Sequence, residues 1–497
     1  MKRMKSFALI CLLGMISLGA TAQSEVATTY FLHNAPYRHF LNPAYEPITE
    51  GYLYLPAISH ISLNAGNNSF TVKDLIINKD GTTMWTLNPL SGVDLLSAIQ
   101  DNTLINADLN IALFGFGWRT SKQGYFHVNI NERIDAGVTI PKGLFNFALG
   151  GGMSDLEQEN IFDMSRLGVQ AQVYSELAIG YSRTSGKIWT WGFKVKGLVG
   201  HGYAGLNATN LSLTASPEQW SVQGNGSIYM AGPFKEYPTR FDAATFDNYN
   251  FKEQLALTNA LSYFNGYGGA VDVGLSVRPI KYLNISLAFT DLGAIYWLNG
   301  HHYDFALSGT YSGVGQLNYS DYTDENGQFN GQQLGDTVLA RLQGVYENAL
   351  TSTDGQKGFL VPLTMKMNAA VELNLLNDIF GLGVFSKTML YNNRLFEEVT
   401  LGVAVRPASW FNFGVSYSFL NGKWSNIGAG LGLRLGPFMI SVAADYVPFV
   451  FAAYDGKMVV PYRTQGINAE LGLSLVWGWK QKKKSLATAD IEPAATN

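Results

Sequence analysis

The 497-residue chain has one cysteine, Cys11, and only 14% charged residues. A typical soluble domain carries roughly 25% charge. Beyond residue 19 there is no run of about 18 apolar residues, so membrane-spanning helices are excluded. Cys11 lies inside the apolar run Phe7–Gly19, too early to be a lipid-attachment cysteine. With that run removed, disulfides and thiolate chemistry are excluded as well. The one Lys-rich patch, near Lys480, is short and terminal, which leaves no electrostatic footprint for nucleic acid. No H-E-x-x-H, G-x-S-x-G, P-loop or complete dinucleotide fingerprint occurs. The adjacent pair His301-His302 would point to opposite faces of a strand, a poor start for a shared metal. No enzyme, metal or cofactor is therefore expected.

What is present points to export. Lys2, Arg3 and Lys5 precede Phe7–Gly19, and Ala20-Thr21-Ala22 follows as an A-x-A cleavage site. Residues 1–22 thus read as a secretory signal peptide, with the mature chain starting at Gln23. Its removal takes the formal charge from −4 to −7 through loss of Lys2, Arg3 and Lys5. Aromatics reach 13%, and there are 53 glycines. An exported, charge-poor chain without membrane helices enters a bilayer only as a closed barrel, because only helices and barrels satisfy every backbone group in lipid.

Period-2 alternation supplies the strands. In VRPASWFNFGVSYSF, Phe411, Phe413, Val415, Tyr417 and Phe419 alternate with Asn412, Gly414, Ser416 and Ser418. VRPIKYLNISLAF repeats the grammar with Leu283, Ile285, Leu287 and Phe289. Both copies read as hairpins with Pro-fixed turns at 278–281 and 406–409, followed by an interfacial aromatic, Tyr282 or Trp410. Similar alternation at 109–114, 271–277, 400–405, 427–435 and 470–479 gives about fourteen strands over 51–479. A soluble β-sandwich is the alternative; so many strands, so few charges and so much glycine on the second face favour the barrel. The fold expected is an all-β transmembrane antiparallel barrel.

Segments 66–104, 152–170, 231–266 and 314–360 read as external loops, with short helices at 91–100 and 336–350. The tail 480–497 reads as a flexible periplasmic end. On the lipid-facing parity, Phe413→Arg should cost roughly 2–4 kcal/mol. Ser416→Arg, on the other parity, should be much milder if the lumen there is wet.

Residues 28–56, TTYFLHNAPYRHFLNPAYEPITEGYLYLP, place Asn42-Pro43-Ala44 shortly before the first strand. With the R-P-x-x-aromatic turns, this resembles the FadL-like outer-membrane barrels and their PorV- and PorP-type relatives of secretion and gliding machinery in Bacteroidota. HNAPYRHFLNPA with the later GNNSF (Gly66 to Phe70) is similar to a family of Bacteroidota outer-membrane proteins with no assigned function. The resemblance implies fourteen strands and an N-terminal plug, residues 23–50, folded into the lumen. The chain alone shows a stretch there without a clear strand period. The fatty-acid transporters' ligand-pocket pattern is not found residue by residue.

Asp272, Arg278, Glu372, Arg406, Arg434 and Glu470 share the small-residue parity of their strands. They read either as a structural lining that holds the plug or as a polar path for a solute. Asn34, Arg38, Asn42 and Pro43 are the plug residues expected to meet them. The implied function is a FadL-like channel for small hydrophobic or amphipathic compounds, seated in outer-membrane lipid of a Gram-negative cell. The alternative is a scaffold working with secretion or gliding proteins.

Overall fold

A computed structural model describes residues 25–478, apart from 55–58, 80–81, 86–94, 122, 150–159, 187, 217–218, 242–248, 255–263, 313–332, 334–335, 338–339, 341–349, 392–393, 421–422, 448–450, 455–457 and 462–464. The segments expected as a signal peptide (1–22) and a tail (480–497), and most of 336–350, lie outside the described residues.

The wall is built from β1 (Gly51–Tyr54), β2 (His60–Asn67), β3 (Asn102–Ser121), β4 (Gly124–Pro141), β5 (Gly168–Ser185), β6 (Trp189–Ala215), β7 (Gln219–Ala231), β8 (Gly266–Ile280) and β9 (Leu283–Ser312). It continues with β10 (Gln356–Pro362), β11 (Met365–Leu375), β12 (Phe380–Tyr391), β13 (Arg394–Ala408), β14 (Phe411–Leu420), β15 (Lys423–Leu435), β16 (Phe438–Asp445) and β17 (Gly466–Trp477). Pairing is antiparallel throughout, and β17 closes on β1 and on β2. Some positions hold two segments stacked end to end. β1 and β2 share one, β7 and β8 another between β6 and β9, and β10 and β11 a third beside β9. Counted this way, the ring is a closed barrel of fourteen strands.

Large apolar residues face outward at membrane level. Ile285, Leu287, Val403, Phe413, Val415 and Leu471 are all more than a third exposed. Their neighbours Ser286, Ala404, Asn412, Ser416 and Glu470 are buried inside. This is the reverse of a soluble protein and the anatomy of an outer-membrane barrel. At one end every connection is short, for instance Lys281-Tyr282, Ser409-Trp410 and Gly436-Pro437, and the long connections lie at the other. That marks the periplasmic end. Exposed Trp118, Trp189, Tyr282, Trp410 and Trp477 ring it as a girdle.

The two Arg-Pro motifs are not themselves the turns. Each lies in the last residues of a strand, where the register shifts, between Val277 and Ile280 and again between Val405 and Ala408. Proline lacks a ladder donor and is accommodated at such bulges. The turns follow two residues later. Segment 66–104 contains a small hairpin, Ile76–Lys79 with Thr82–Trp85, and of the helix expected at 91–100 a single 3-10 turn, Leu95–Ser97, is described. An eight-residue helix not foreseen from sequence, Lys142–Leu149, follows β4.

The wall is uneven. β6 and β9 have 27 and 30 residues, whereas β14 and β16 have ten and eight. A bilayer needs about 9–11 residues per strand. The sector β5–β9 therefore stands well above the membrane on the outer side.

Candidate functional site

The lumen is filled by residues 25–50. Two 3-10 turns, Ala27–Phe31 and Pro36–Phe40, fold this segment, and almost all of it is buried. Its polar groups are paired around the ring. The Asp445 carboxylate accepts the N–H groups of Ala27 (2.6 Å) and Thr28 (3.1 Å), and also the Thr28 hydroxyl. Asn412 donates to the Phe31 carbonyl (3.3 Å), Asn368 to that of Leu41 (2.7 Å) and Lys194 to that of His39 (2.6 Å). Buried carbonyls of an irregular segment need such partners, since no ladder supplies them.

Glycines on the inner face make the seats. Gly192 and Gly274 are cross-strand partners, and Asn42-Pro43 lies against both. Gly383 and Gly402 are also partners, and Phe31 rests on them; a Cβ at Gly402 would come within 2.1 Å of its ring. Gly432 receives Asn34, and Gly472 receives Tyr37. Much of the small parity is therefore cut to the shape of this segment. The lumen at Ser416 is not wet: its hydroxyl meets Thr28 Oγ1 at 2.6 Å. The mild outcome expected for Ser416→Arg is withdrawn, because an arginine there must unseat the segment.

Of the residues singled out from sequence, Asn34, Arg38, Asn42, Pro43, Asp272 and Arg406 come into the lumen. Asn34 donates to the Gly432 carbonyl (3.0 Å), and Arg38 lies over the rings of Tyr45 and Tyr30 at 4.7 and 5.4 Å. Asn42 Oδ1 accepts the Ala44 N–H (2.8 Å), closing the turn at Asn42-Pro43-Ala44. Arg406 pairs with Glu372 (3.0 Å), which also meets His33 Nε2 (2.9 Å). Burial and the neighbouring Arg406 push the His33 imidazole below its usual range, so the neutral ring donates to Glu372. Arg278 is exposed, and Arg434 bonds the Gly436 carbonyl beside its own turn (3.0 Å). Both sit at the periplasmic rim, away from the lumen contacts expected of them.

Above this segment lies a belt of charge. Arg133 pairs with Asp291 (3.0 Å) and Glu176 (3.4 Å). Lys196 pairs with Asp291 (2.6 Å) and Asp272 (2.9 Å), and Lys366 with Glu25 (2.9 Å) and Asp291 (3.3 Å). Burial works against the charge on Glu25, but Lys366, Lys387 and Arg133 overcome it and hold its carboxyl down at about 2. Asp291 is the hub. Its φ of 61° lies in the left-handed region, which Asp tolerates better than most residues. Sequence reasoning missed all of these except Asp272. The signal existed in WGFKVKGLVG, where Lys194 and Lys196 fall on the parity opposite Phe193 and Val195.

Higher still, the interior turns aromatic. Tyr203, Trp297 and Phe359 cluster with ring centroids 5.4–6.5 Å apart, and Tyr229 lies 5.2 Å from Phe359. Trp297 is fully buried, and its indole N–H meets no acceptor among the described residues. The best-formed cavities among the described residues have volumes of about 20 and 10 Å³, room for water-sized groups only.

A family model described as a family of unknown function, DUF5723, matches residues 43–445. No curated protein sequence matches the chain. Among solved structures, the chain is similar to a TodX deltaS2S3 mutant described as a monoaromatic hydrocarbon channel. Identity is 10%, coverage is 93% of this chain and 98% of that one, and the TM-score is 0.40. It is also similar to the toluene transporter TodX of P. putida, at 9% identity, 88% and 93% coverage and a TM-score of 0.37. A FadL homologue of Pseudomonas aeruginosa matches at 10% identity, 92% and 96% coverage and a TM-score of 0.34.

Proposed function

The chain belongs to the DUF5723 family of unknown function, and we propose that it is an outer-membrane channel for small hydrophobic or amphipathic compounds, held closed by its N-terminal plug. The observation that carries this reading is the order of chemistry along the lumen. An aromatic interior around Trp297, Tyr203, Tyr229 and Phe359 lies on the outer side, and the seated segment blocks the way below it. An apolar solute gains from the first and is stopped by the second. Passage requires the plug to leave its glycine seats, since residues 25–50 occupy the lumen.

A second reading, a scaffold for extracellular partners, draws on the tall sector β5–β9. Its outer face at Asp304, Ala306, Ser308 and Thr310 is small and polar, as a surface above the membrane should be. A smooth polar face offers a partner few anchors, so the channel reading is preferred.

The test is entry of a fluorescent hydrophobic amine, N-phenyl-1-naphthylamine, into proteoliposomes. Gly402→Leu, which crowds Phe31, should raise the entry rate over wild type, and Trp297→Ala in that background should lower it. Rates equal to protein-free vesicles for all three proteins would end the channel reading.

A further inference from the structure

One carboxylate pair in the lumen lacks a matching cation. Asp108 and Asp135 stand directly opposite each other on β3 and β4. Like charges so placed repel. Asp108 accepts amide N–H groups from Asn64 (2.9 Å) and Asn106 (2.7 Å). Asp135 accepts from Gln172 (3.2 Å) and the Tyr174 hydroxyl (3.0 Å). Its nearest cation is a guanidinium nitrogen of Arg133, at 3.9 Å, and Arg133 is committed to Asp291 and Glu176. Lys366 is committed to Glu25 and Asp291. Among the described residues, Asp108 enters no ion pair.

The pair lines the cavity of about 20 Å³, and so does Asn106. Asn106 is 5% exposed, and its Oδ1 accepts no hydrogen bond among the described residues. Two carboxylates and one amide oxygen thus line a space the size of one water molecule. A primary ammonium carries positive charge and three N–H donors, one for each of the three acceptor side chains. A metal ion fits less well, since no group of three metal-binding side chains occurs among the described residues.

We propose that Asp108, Asp135 and Asn106 bind a primary ammonium group. Two sources share this chemistry, a small free amine and the chain's own α-amine. Cleavage after Ala22 would leave Gln23 and Ser24 ahead of Glu25, and two residues reach about 7 Å. Glu25 is held by Lys366, which lines the same cavity. With the α-amine as occupant, leader removal creates the charge that completes the closed lumen. The proposal does not depend on what passes through the barrel.

The test uses the full-length protein extracted from its own membrane. An amine-reactive ester is applied near neutral pH, and labelling of the N-terminus is followed by mass spectrometry. Melting is followed in parallel in methylammonium chloride, with tetramethylammonium, which has no N–H, as control. If the α-amine is the occupant, the wild-type terminus resists labelling, and Asp108→Asn labels about tenfold faster, equivalent to roughly 1.4 kcal/mol of pinning. If a free amine is the occupant, the terminus labels readily or is blocked by cyclisation of Gln23. Methylammonium then raises the melting temperature of wild type but not of Asp108→Asn. Equal labelling of the two proteins with no methylammonium-specific shift overturns the site. Should Asp108→Asn fail to fold, the wild-type comparison of the two ammonium salts still decides.

Discussion

The lower and upper halves of β9 alternate alike and face opposite ways. From Leu283 to Phe289 the apolar residues carry odd numbers and point to lipid; Ile285 and Leu287 are 41% and 42% exposed. From Tyr303 to Leu307 the apolar residues again carry odd numbers, yet Tyr303 and Phe305 are buried inside, and just below them Tyr296 and Leu298 carry the exposed face on even numbers. The pattern did not change; the wall did. Opposite β8, the register shifts between Val271 and Val273, so that Thr290 and Asp291 on β9 together face the single residue Asp272. One bulge reverses which parity faces in. Asp291 sits at that reversal, clamped by Arg133, Lys196 and Lys366. The charge belt thus holds the joint between a lipid-facing barrel and an extension with its own apolar interior.

Breaking the joint should have the largest effect. Asp291→Ala leaves three buried cations short of their partner and should cost about 3–5 kcal/mol. Urea titration of refolding into liposomes measures it; a loss under 1 kcal/mol would mean that the belt does not clamp the bulge. Next comes the lower half. Leu287→Arg should cost about 2–4 kcal/mol in the same titration, because it puts charge into lipid. Gly402→Leu tests the lumen rather than the outer face. Overpacking against Phe31 should cost about 1–3 kcal/mol and open the N-terminal segment to protease while the barrel stays folded. The smallest effect belongs to the upper half. Ser308→Arg, outward and above the membrane, should stay within about 0.5 kcal/mol. A penalty there equal to that at Leu287 would place both halves in lipid and remove the distinction between them.

Legibility differed by region for physical reasons. The barrel strands near Phe413 and Leu471 were readable because lipid outside and small residues inside write a clean period of two. The charges of the belt were readable only as oddities of parity, since their partners lie far apart in sequence; Arg133 and Asp291 are 158 residues apart. Arg278 and Arg434 misled because parity assigns a face but not a height, and both fall at the rim. The glycines of the inner face carried more meaning than their composition suggested, because each small residue is small for a particular neighbour such as Phe31 or Asn34.

By itself, the sequence determined that this chain alternates, lacks apolar helices and must therefore meet a membrane as a closed barrel. Those are local properties, set by side-chain period and by the need to satisfy backbone groups in lipid. Which face of each strand looks outward above Asp291, how residues 25–50 occupy the lumen, and which carboxylates the belt's cations pair with were decided only in three dimensions. Each depends on a bulge or on contacts between residues hundreds of positions apart, and no local pattern records them.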